Sequence, residues 1–199
     1  FRDVSAQRLI ERDKANQLLT ARLLASIVET SNDAIISKSP AGIIQSWNAA
    51  AERVFGFTAE EAIGRHISLV IPPERLAEED QIIAKLRAGQ RIEHFETERV
   101  RNDGQRIIVS LTISPIKDEA GNVTGASKIV RDVTERKLAE RERQNFVAVV
   151  ENSTDFIGMC DLQGLPFFVN RAGLEMVGLD DIEQARRSPV QEFFFPEDQ

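Results

Sequence analysis

The hydrophobic positions at the start of the chain predict a long helix. Residues 6–28 contain no Gly or Pro and are rich in Leu, Ala, Arg and Glu, which favour helices. Their apolar stripe is too broad and irregular for a clean two-stranded coiled-coil seam. We therefore expect this helix to pack on a sheet or on a partner helix.

Beyond residue 28 the pattern changes to short β-prone runs separated by turn residues. In residues 107–113 every second position is apolar, so this strand is predicted to have one buried face. The predicted strands are 34–37, 43–47, 94–101, 107–113 and 123–131, and the predicted helices are 49–55, one that begins at the capping-box sequence 58–61, and 72–87. Because hairpin turns link the strands within each group, we expect an α+β fold with helices over one face of an antiparallel sheet.

Internal repeats divide the chain into modules. Residues 2–12 match 131–141 at six positions when shifted by 129, and residues 28–56 match 150–178 at nine positions when shifted by 122. The predicted parts are the tail of a preceding module (1–5), a helical connector (6–28), a complete module (29–133), a second connector (134–149) and the first half of a further module (150–199). Since the chain starts with Phe and ends within a module, we expect it to be an excerpt.

The two repeat offsets differ by 129 − 122 = 7 residues, and the whole difference falls in the connectors. Seven residues of α-helix make almost two turns and return to nearly the same face, with a drift of about 20°. The longer connector is therefore expected to preserve the relative rotation of the modules that it joins.

Composition narrows the partners of this segment. The net charge of −7 and the isoelectric point near 5.0 argue against a nucleic-acid surface, which needs clustered Lys and Arg. No apolar run approaches the roughly 20 residues of a membrane span, so we expect no membrane contact by this segment. One cysteine, Cys160, agrees with a reducing, cytoplasmic location, although the parent protein could be anchored elsewhere.

Several motifs in order closely resemble a PAS (S-box) sensory domain with its C-terminal PAC motif. They are Asp33-Ala-Ile-Ile-Ser, Gly42-Ile-Ile-Gln-Ser-Trp-Asn48, Phe55-Gly-Phe57, Ile63-Gly-Arg65, Ile71-Pro72, Arg101-Asn-Asp-Gly104 and Val130-Arg-Asp-Val-Thr-Glu-Arg-Lys137. The resemblance covers the complete module, and residues 151–198 resemble the first half of another. It implies a five-stranded antiparallel sheet with flanking helices around a small pocket.

The resemblance also implies a signalling context. Such domains stand in tandem in bacterial sensor histidine kinases and in cyclic-dinucleotide enzymes, where they dimerise and pass a signal along helices to a downstream effector domain. We therefore expect a homodimer through connector helices and PAS surfaces, with a small-molecule ligand as a further hypothesis. A structural spacer with a filled core and no ligand is an alternative function. No catalytic motif stands out in the sequence.

Haem and flavin chemistry form another alternative, and two positions argue against it. Haem-binding relatives that sense oxygen use a helix histidine, and Glu79 stands at that place here. Light-oxygen-voltage relatives need a reactive Cys a few residues after a Gly-Arg pair, and Ile67 occupies the approximate position. His66 and His94 lack the spacing of metal ligands.

Candidate functional residues fall into two groups. Asn48 is either the N-cap of a helix or a polar group at the edge of a pocket, and the cap is favoured. The other candidate pocket residues, which could equally form an ordinary core, are Phe55, Phe57, Ile82, Leu86, Val109, Leu111 and Ile129. The predicted relay residues are Asp132, Thr134 and Glu135, because Asp132 followed by Glu135 resembles a helix cap.

The half-module at the end of the chain lacks the three later strands of the complete module. We expect residues 150–199 to leave an open sheet edge and an exposed apolar face that includes Phe193, Phe194 and Phe195. The sequence therefore predicts that this part is poorly ordered or pairs with another chain.

Overall fold

The computed structural model describes residues 4–187 and 189 and divides the chain into two compact units, 1–135 and 136–199. The first unit contains helix α1 (Val4–Glu29), strands β1 (Ala34–Lys38) and β2 (Ile44–Trp47), helices α2 (Ala49–Phe55) and α3 (Ala59–Ala62), two 3-10 helices (Ile67–Val70 and Pro73–Arg75), helix α4 (Leu76–Arg87), and strands β3 (Ile92–Val100), β4 (Arg106–Lys117) and β5 (Val123–Asp132). Within the described part, no helix is long and apolar enough to cross a membrane.

The five strands of the first unit form one antiparallel sheet in the order β2-β1-β5-β4-β3. The chain returns from the last strand to the middle of the sheet, where β5 pairs with both β1 and β4. The expected α+β class with a five-stranded antiparallel sheet and flanking helices is confirmed.

Local capping sets the helix boundaries after the first hairpin. The Asn48 side chain accepts a hydrogen bond from the N–H of Ala51 at the start of α2, and Gly56 ends that helix with φ +75°, a conformation that favours Gly. Thr58 and Glu61 form the predicted reciprocal capping box at α3. These short helices are therefore fixed by polar residues next to them in sequence.

The inner face of the sheet packs against α2, α3 and α4. On β4 the buried residues are Ile107, Val109, Leu111 and Ile113, which confirms the predicted alternation. They join one hydrophobic core with Ile36, Ile44, Phe55, Ile82 and Val130, among others. The interior beneath α4 therefore lies over the central strands of the sheet.

After a long helix, the second unit has two strands and two short helices, in the same order as β1, β2, α2 and α3 of the first unit. Its elements are the continuation of helix α5 (Thr134–Glu151), strands β6 (Gly158–Cys160) and β7 (Pro166–Val169), and helices α6 (Arg171–Met176) and α7 (Ile182–Ala185). The Asp181 side chain caps α7 by accepting the N–H of Gln184, and the Gln184 side chain accepts the N–H of Asp180. Phe193, Phe194 and Phe195 lie outside the described residues.

Candidate functional site

Most of the expected pocket residues pack in one hydrophobic core. Phe55, Ile82, Leu86, Val109 and Leu111 are all buried in one cluster, and Phe57 packs against it. The Phe55 ring lies 5.3 Å from the ring of Trp47, between centroids. A cleft between the end of α4 and the β1 and β5 strands has a volume of about 20 Å³, which suits a water molecule.

Ile129 does not belong to this interior, and its assignment to the pocket is wrong. Its side chain is 40% exposed, whereas its neighbours Lys128 and Val130 are 3% and 2% exposed. Successive residues of a strand point to opposite faces, so Val130 and Lys128 face inward and Ile129 faces outward. The apolar residue lies outside and the charged one inside.

Asn48 uses its whole hydrogen-bonding capacity on the backbone. Its Oδ1 accepts the N–H groups of Ile35 and Ala51, each at 2.9 Å. Its Nδ2 donates to the carbonyls of Val28 at 2.8 Å and Asp33 at 3.3 Å. An amide offers two lone pairs and two N–H groups, so the capping role is satisfied and nothing remains for a ligand at the pocket edge.

These bonds join the end of α1 to the module. Val28 lies in the last turn of α1, and the neighbouring Glu29 carboxylate accepts the N–H of Ala49 at 3.1 Å. A helix leaves its last carbonyl groups without partners inside the helix. Asn48 supplies a partner for one of them and thereby ties α1 to both β1 and α2. We call this set of contacts, centred on Asn48, the asparagine anchor.

The second unit contains the same anchor. Asn170 accepts from the N–H groups of Ile157 and Gly173 and donates to the carbonyls of Val150 and Asp155, at 2.9 to 3.0 Å. The Glu151 carboxylate accepts the N–H of Arg171 at 3.1 Å, as Glu29 does from Ala49. Every participant lies 122 residues after its counterpart, the offset found in the sequence.

The predicted relay residues join β5 to the start of α5. The Thr134 hydroxyl accepts the N–H of Ile108 on β4 at 2.9 Å, and the N–H of Val133 donates to the Ile108 carbonyl at 2.9 Å. The Asp132 carboxylate accepts from Thr134 N–H and from Arg101, each at 2.9 Å. Because α5 begins at Thr134, Asp132 lies one residue before the N-cap position, and Glu135 is exposed.

A buried charged cluster lies between α4 and the sheet. Glu79 on α4 forms an ion pair with Lys38 on β1 and accepts a hydrogen bond of 2.8 Å from Lys128 on β5. The side chains of Lys38, Lys128 and Glu79 are 2%, 4% and 6% exposed. We call these three residues the lysine–glutamate cluster. Removing such charges from water is costly unless they are paired and hydrogen-bonded.

A second set of charged residues, centred on Arg99 of β3, lies beside the lysine–glutamate cluster. Arg99 is 3% exposed, and its Nη1 donates to Glu78 and to the Thr97 hydroxyl at 3.0 and 3.1 Å. Glu78 also accepts from Arg75 at 2.8 Å. The Nη2 of Arg99 is buried and has no hydrogen-bond partner among the described residues.

Burial changes the protonation of these basic groups. It lowers the pKa of Lys38 to about 7, with a further contribution from the charge of Lys128. It lowers the pKa of Lys128 to about 7 as well, helped by the charge of Arg99. The pKa of Arg99 is also lowered by burial, against the opposing effect of Glu78. The interior thus holds two amines whose charge is sensitive near neutral pH.

Sequence reasoning found Glu79 but missed its two lysine partners. A lysine in a β-prone run is normally assigned to the solvent side. The strand phase was nevertheless informative, because Lys38 follows Ala34 and Ile36 at every second position, and Lys128 lies between Ala126 and Val130 in the same way. That parity could have placed both lysines on the inner face.

Comparison with known proteins gives a consistent picture. Residues 22–133 match the family model described as PAS fold. The chain is 39% identical over 142 residues to two-component system protein A of Emericella nidulans, covering 66% of this chain and 20% of that protein. It is 31% identical over 143 residues to the sensor protein kinase WalK of Staphylococcus saprophyticus, covering 72% of this chain and 22% of that protein.

A solved structure supports the same assignment. The PAS domain of a Colwellia psychrerythraea protein is 27% identical, with a TM-score of 0.53, and the match covers 59% of this chain and 98% of that one. The present chain spans about a fifth of the length of these two relatives. With the matching fold and the PAS model over more than half of its residues, the chain belongs to the PAS fold family.

Proposed function

We propose that this chain is the sensory and dimerisation segment of a larger two-component signalling protein with a histidine kinase output. The observation that carries the proposal is the polar attachment of a helix at each end of the complete module. The asparagine anchor holds the end of α1, and Thr134 with Asp132 holds the start of α5. A change in the module therefore acts on both helices.

The proposal includes a tandem arrangement. By this account residues 29–133 form a complete PAS domain that ends in a PAC motif, 6–28 and 134–149 are connectors, and 150–199 begin another PAS domain. The second asparagine anchor supports this division, since Asn170 repeats the contacts of Asn48. Residues 1–5 would end a preceding domain, although Val4 and Ser5 already lie in α1.

The proposed partners are a second copy of the chain and an effector domain in the same protein. Exposed apolar side chains along α1, among them Leu19 and Leu23 at 58% and 57% exposure, support pairing through this helix. We assign the segment to the cytoplasm, with any membrane anchor of the parent elsewhere. The relatives named as a sensor kinase and a two-component protein support the kinase output over a cyclic-dinucleotide enzyme.

A structural spacer is the second candidate, and the burial of the expected pocket residues favours it. Phe55, Val109 and Leu111, which were expected to line a ligand pocket, are 0–2% exposed within the hydrophobic core. A spacer would tolerate changes in helix phase, whereas a relay would not. A haem or flavin sensor is a third candidate, which a Soret or flavin absorption band of the purified protein would reveal.

Helix phase provides the decisive experiment in the full-length parent protein. Deleting seven residues within 6–28 turns the helix by almost two full turns, and we expect kinase autophosphorylation to keep its regulation. Deleting three or four residues leaves the helix about 60° or 40° out of phase, and we expect the activity to be locked or lost. Equal activity for every deletion length would reject the relay and favour the spacer.

A further inference from the structure

The charges inside the complete module do not balance. Lys38, Lys128 and Arg99 are cations with side chains that are 2–4% exposed, and Glu79 is a carboxylate at 6%. Arg99 has a separate carboxylate partner in Glu78, which is 19% exposed. Two lysines therefore share the single carboxylate of Glu79. A second ammonium group at this place has no anion of its own in a low-dielectric interior.

We propose that the lysine–glutamate cluster is a proton-responsive link between α4 and the sheet, so that the stimulus reaching this module is a change of proton concentration. This inference rests on the sensory function proposed above and names its input. When one lysine is an ammonium ion and the other a neutral amine, the cluster has no net charge. When both lysines are ammonium ions, the cluster carries an excess positive charge beneath α4.

The surroundings of the cluster favour the loss of one proton. Arg99 on β3 is a further cation, and its charge acts on Lys128. From α4 come Glu79, Glu78, which is engaged by Arg99 and by Arg75, and the cation Arg87, which lines the same cleft as Lys38. Strand β4 contributes the apolar Ile107 and Ile113, so it supplies no counter-charge. Glu79 is thus the carboxylate that forms ion pairs with both lysines.

The link has mechanical consequences because its members lie on separate elements. Lys38 belongs to β1, Lys128 to β5 and Glu79 to α4. Strand β5 continues into the junction that holds α5, and β1 is bonded to Asn48 through Ile35. Protonation that weakens the hold of Glu79 on the sheet therefore acts at a point connected to both helices.

The direction of the pH effect follows from proton linkage. Both lysines have a pKa of about 7 in the folded protein, against an ordinary value of 10.5. The unfolded chain therefore binds more protons between those two values, and stability rises with pH across this window. Because the two amines interact, they titrate as a pair, with the first proton leaving at the lower pH.

Nuclear magnetic resonance of the whole chain with ¹³C-labelled lysine tests the proposal directly. The sequence has six lysines, so the Cε signals are few and can be assigned with Lys38→Met and Lys128→Met variants. We expect at least one of the two buried lysines to titrate between about pH 6 and 8.5. Both buried lysines remaining protonated to pH 10 would overturn the proposal.

The Lys128→Met variant, which removes one lysine of the cluster, is the matched control. In the Lys128→Met variant one lysine faces one carboxylate, so Lys38 should keep its proton through neutral pH. The wild-type melting temperature should rise by several degrees more than that of the variant between pH 6.5 and 8.5, because other titratable groups are common to both proteins. An identical pH dependence would also overturn the proposal, as would lysine midpoints that follow the concentration of chloride or acetate.

The outcomes separate this inference from the proposed function. Failure of the lysines to titrate would leave the helix-phase experiment untouched, and the module would then sense something other than protons. Tolerance of every helix deletion would reject the relay even if the lysines titrate. Slower amide exchange in 76–87 at pH 8 than at pH 6.5, after correction for intrinsic rates, should appear in the wild type and be absent in Lys128→Met.

Discussion

Asn48 and Glu79 each connect several parts of the fold, because each side chain forms several hydrogen bonds or ion pairs. Asn48 satisfies four backbone groups from four places in the chain, which an Asp or Ser could not do. Glu79 serves two amines with its two oxygens. Each of these side chains contacts several elements, so its removal would destabilise those elements together.

Replacement of Glu79 tests how the lysine–glutamate cluster affects the free energy of unfolding. Glu79→Ala leaves two buried amines without a carboxylate, and we expect a loss of roughly 3–5 kcal/mol in the free energy of unfolding at pH 6. The combination Lys38→Met, Glu79→Leu and Lys128→Met removes every charge and keeps the volumes similar. It should restore wild-type stability or exceed it, as measured by urea denaturation. A triple variant as unstable as Glu79→Ala would contradict this account.

Sequence reasoning succeeded at residues with a local role and failed at residues with a tertiary one. The Asn48 cap and the Thr58–Glu61 capping box follow from neighbours a few positions away, so spacing alone predicted them. Ile129 was assigned to the pocket because residue type was given more weight than strand parity, and the burial of its neighbour Lys128 was not predicted. The partner of Lys128 lies 49 residues away on α4, which no local pattern discloses.

At the scale of elements, the join between β5 and α5 is a set of directed hydrogen bonds. Thr134 Oγ1 accepts the N–H of Ile108, and Val133 N–H donates to the Ile108 carbonyl, so one residue of β4 holds the start of the helix from both sides. Asp132 adds a charged link to Arg101 after the end of β3. The helix start is thereby fixed relative to two strands.

Substitution of Thr134 tests this join. Thr134→Val keeps the shape but removes the acceptor, so the N–H of Ile108 should lose its partner at a cost of about 1–3 kcal/mol. We expect faster amide exchange at Ile108 and in the first turn of α5. Glu135→Gln is the control, because Glu135 is exposed on the same turn. Equal exchange in the two variants would show that the Thr134 hydroxyl is dispensable.

Element boundaries were predicted to within a few residues where caps or turns mark them. Helix α1 was expected over 6–28 and runs from Val4 to Glu29, and β4 extends past the expected 107–113 to Lys117. The ladder with β5 continues beyond the apolar stripe because backbone pairing does not need apolar side chains. Pattern therefore indicated the buried part of each element better than its ends.

At the scale of the whole molecule, apolar surface remains available for association. On α1 the exposed residues include Leu18, Leu19, Leu23, Leu24 and Ile27, each 55–65% exposed. In the second unit Phe156, Phe167 and Met176 are 49–62% exposed. Contiguous exposed apolar residues commonly mark interaction sites, and the expected pairing of the incomplete module with another chain stays a prediction.

Charge on α1 should separate the copies of the chain if this helix carries the proposed dimer. Leu19→Glu combined with Leu23→Glu places two like charges on each exposed helix stripe, and we expect the dissociation constant to rise at least tenfold, as measured by analytical ultracentrifugation. Gln17→Glu is the control for added charge away from the leucines. Unchanged dissociation in the double variant would assign any dimer to another surface.

Helix α5 is held at both of its ends by the contacts described above. Thr134 fixes its first residue to β4, and Asn170 and Arg171 engage its last turn at Val150 and Glu151. Each end of α5 is therefore hydrogen-bonded to residues outside the helix. One inserted residue advances an α-helix by about 100°, so an insertion within α5 would change which helix residues lie between these two sets of contacts.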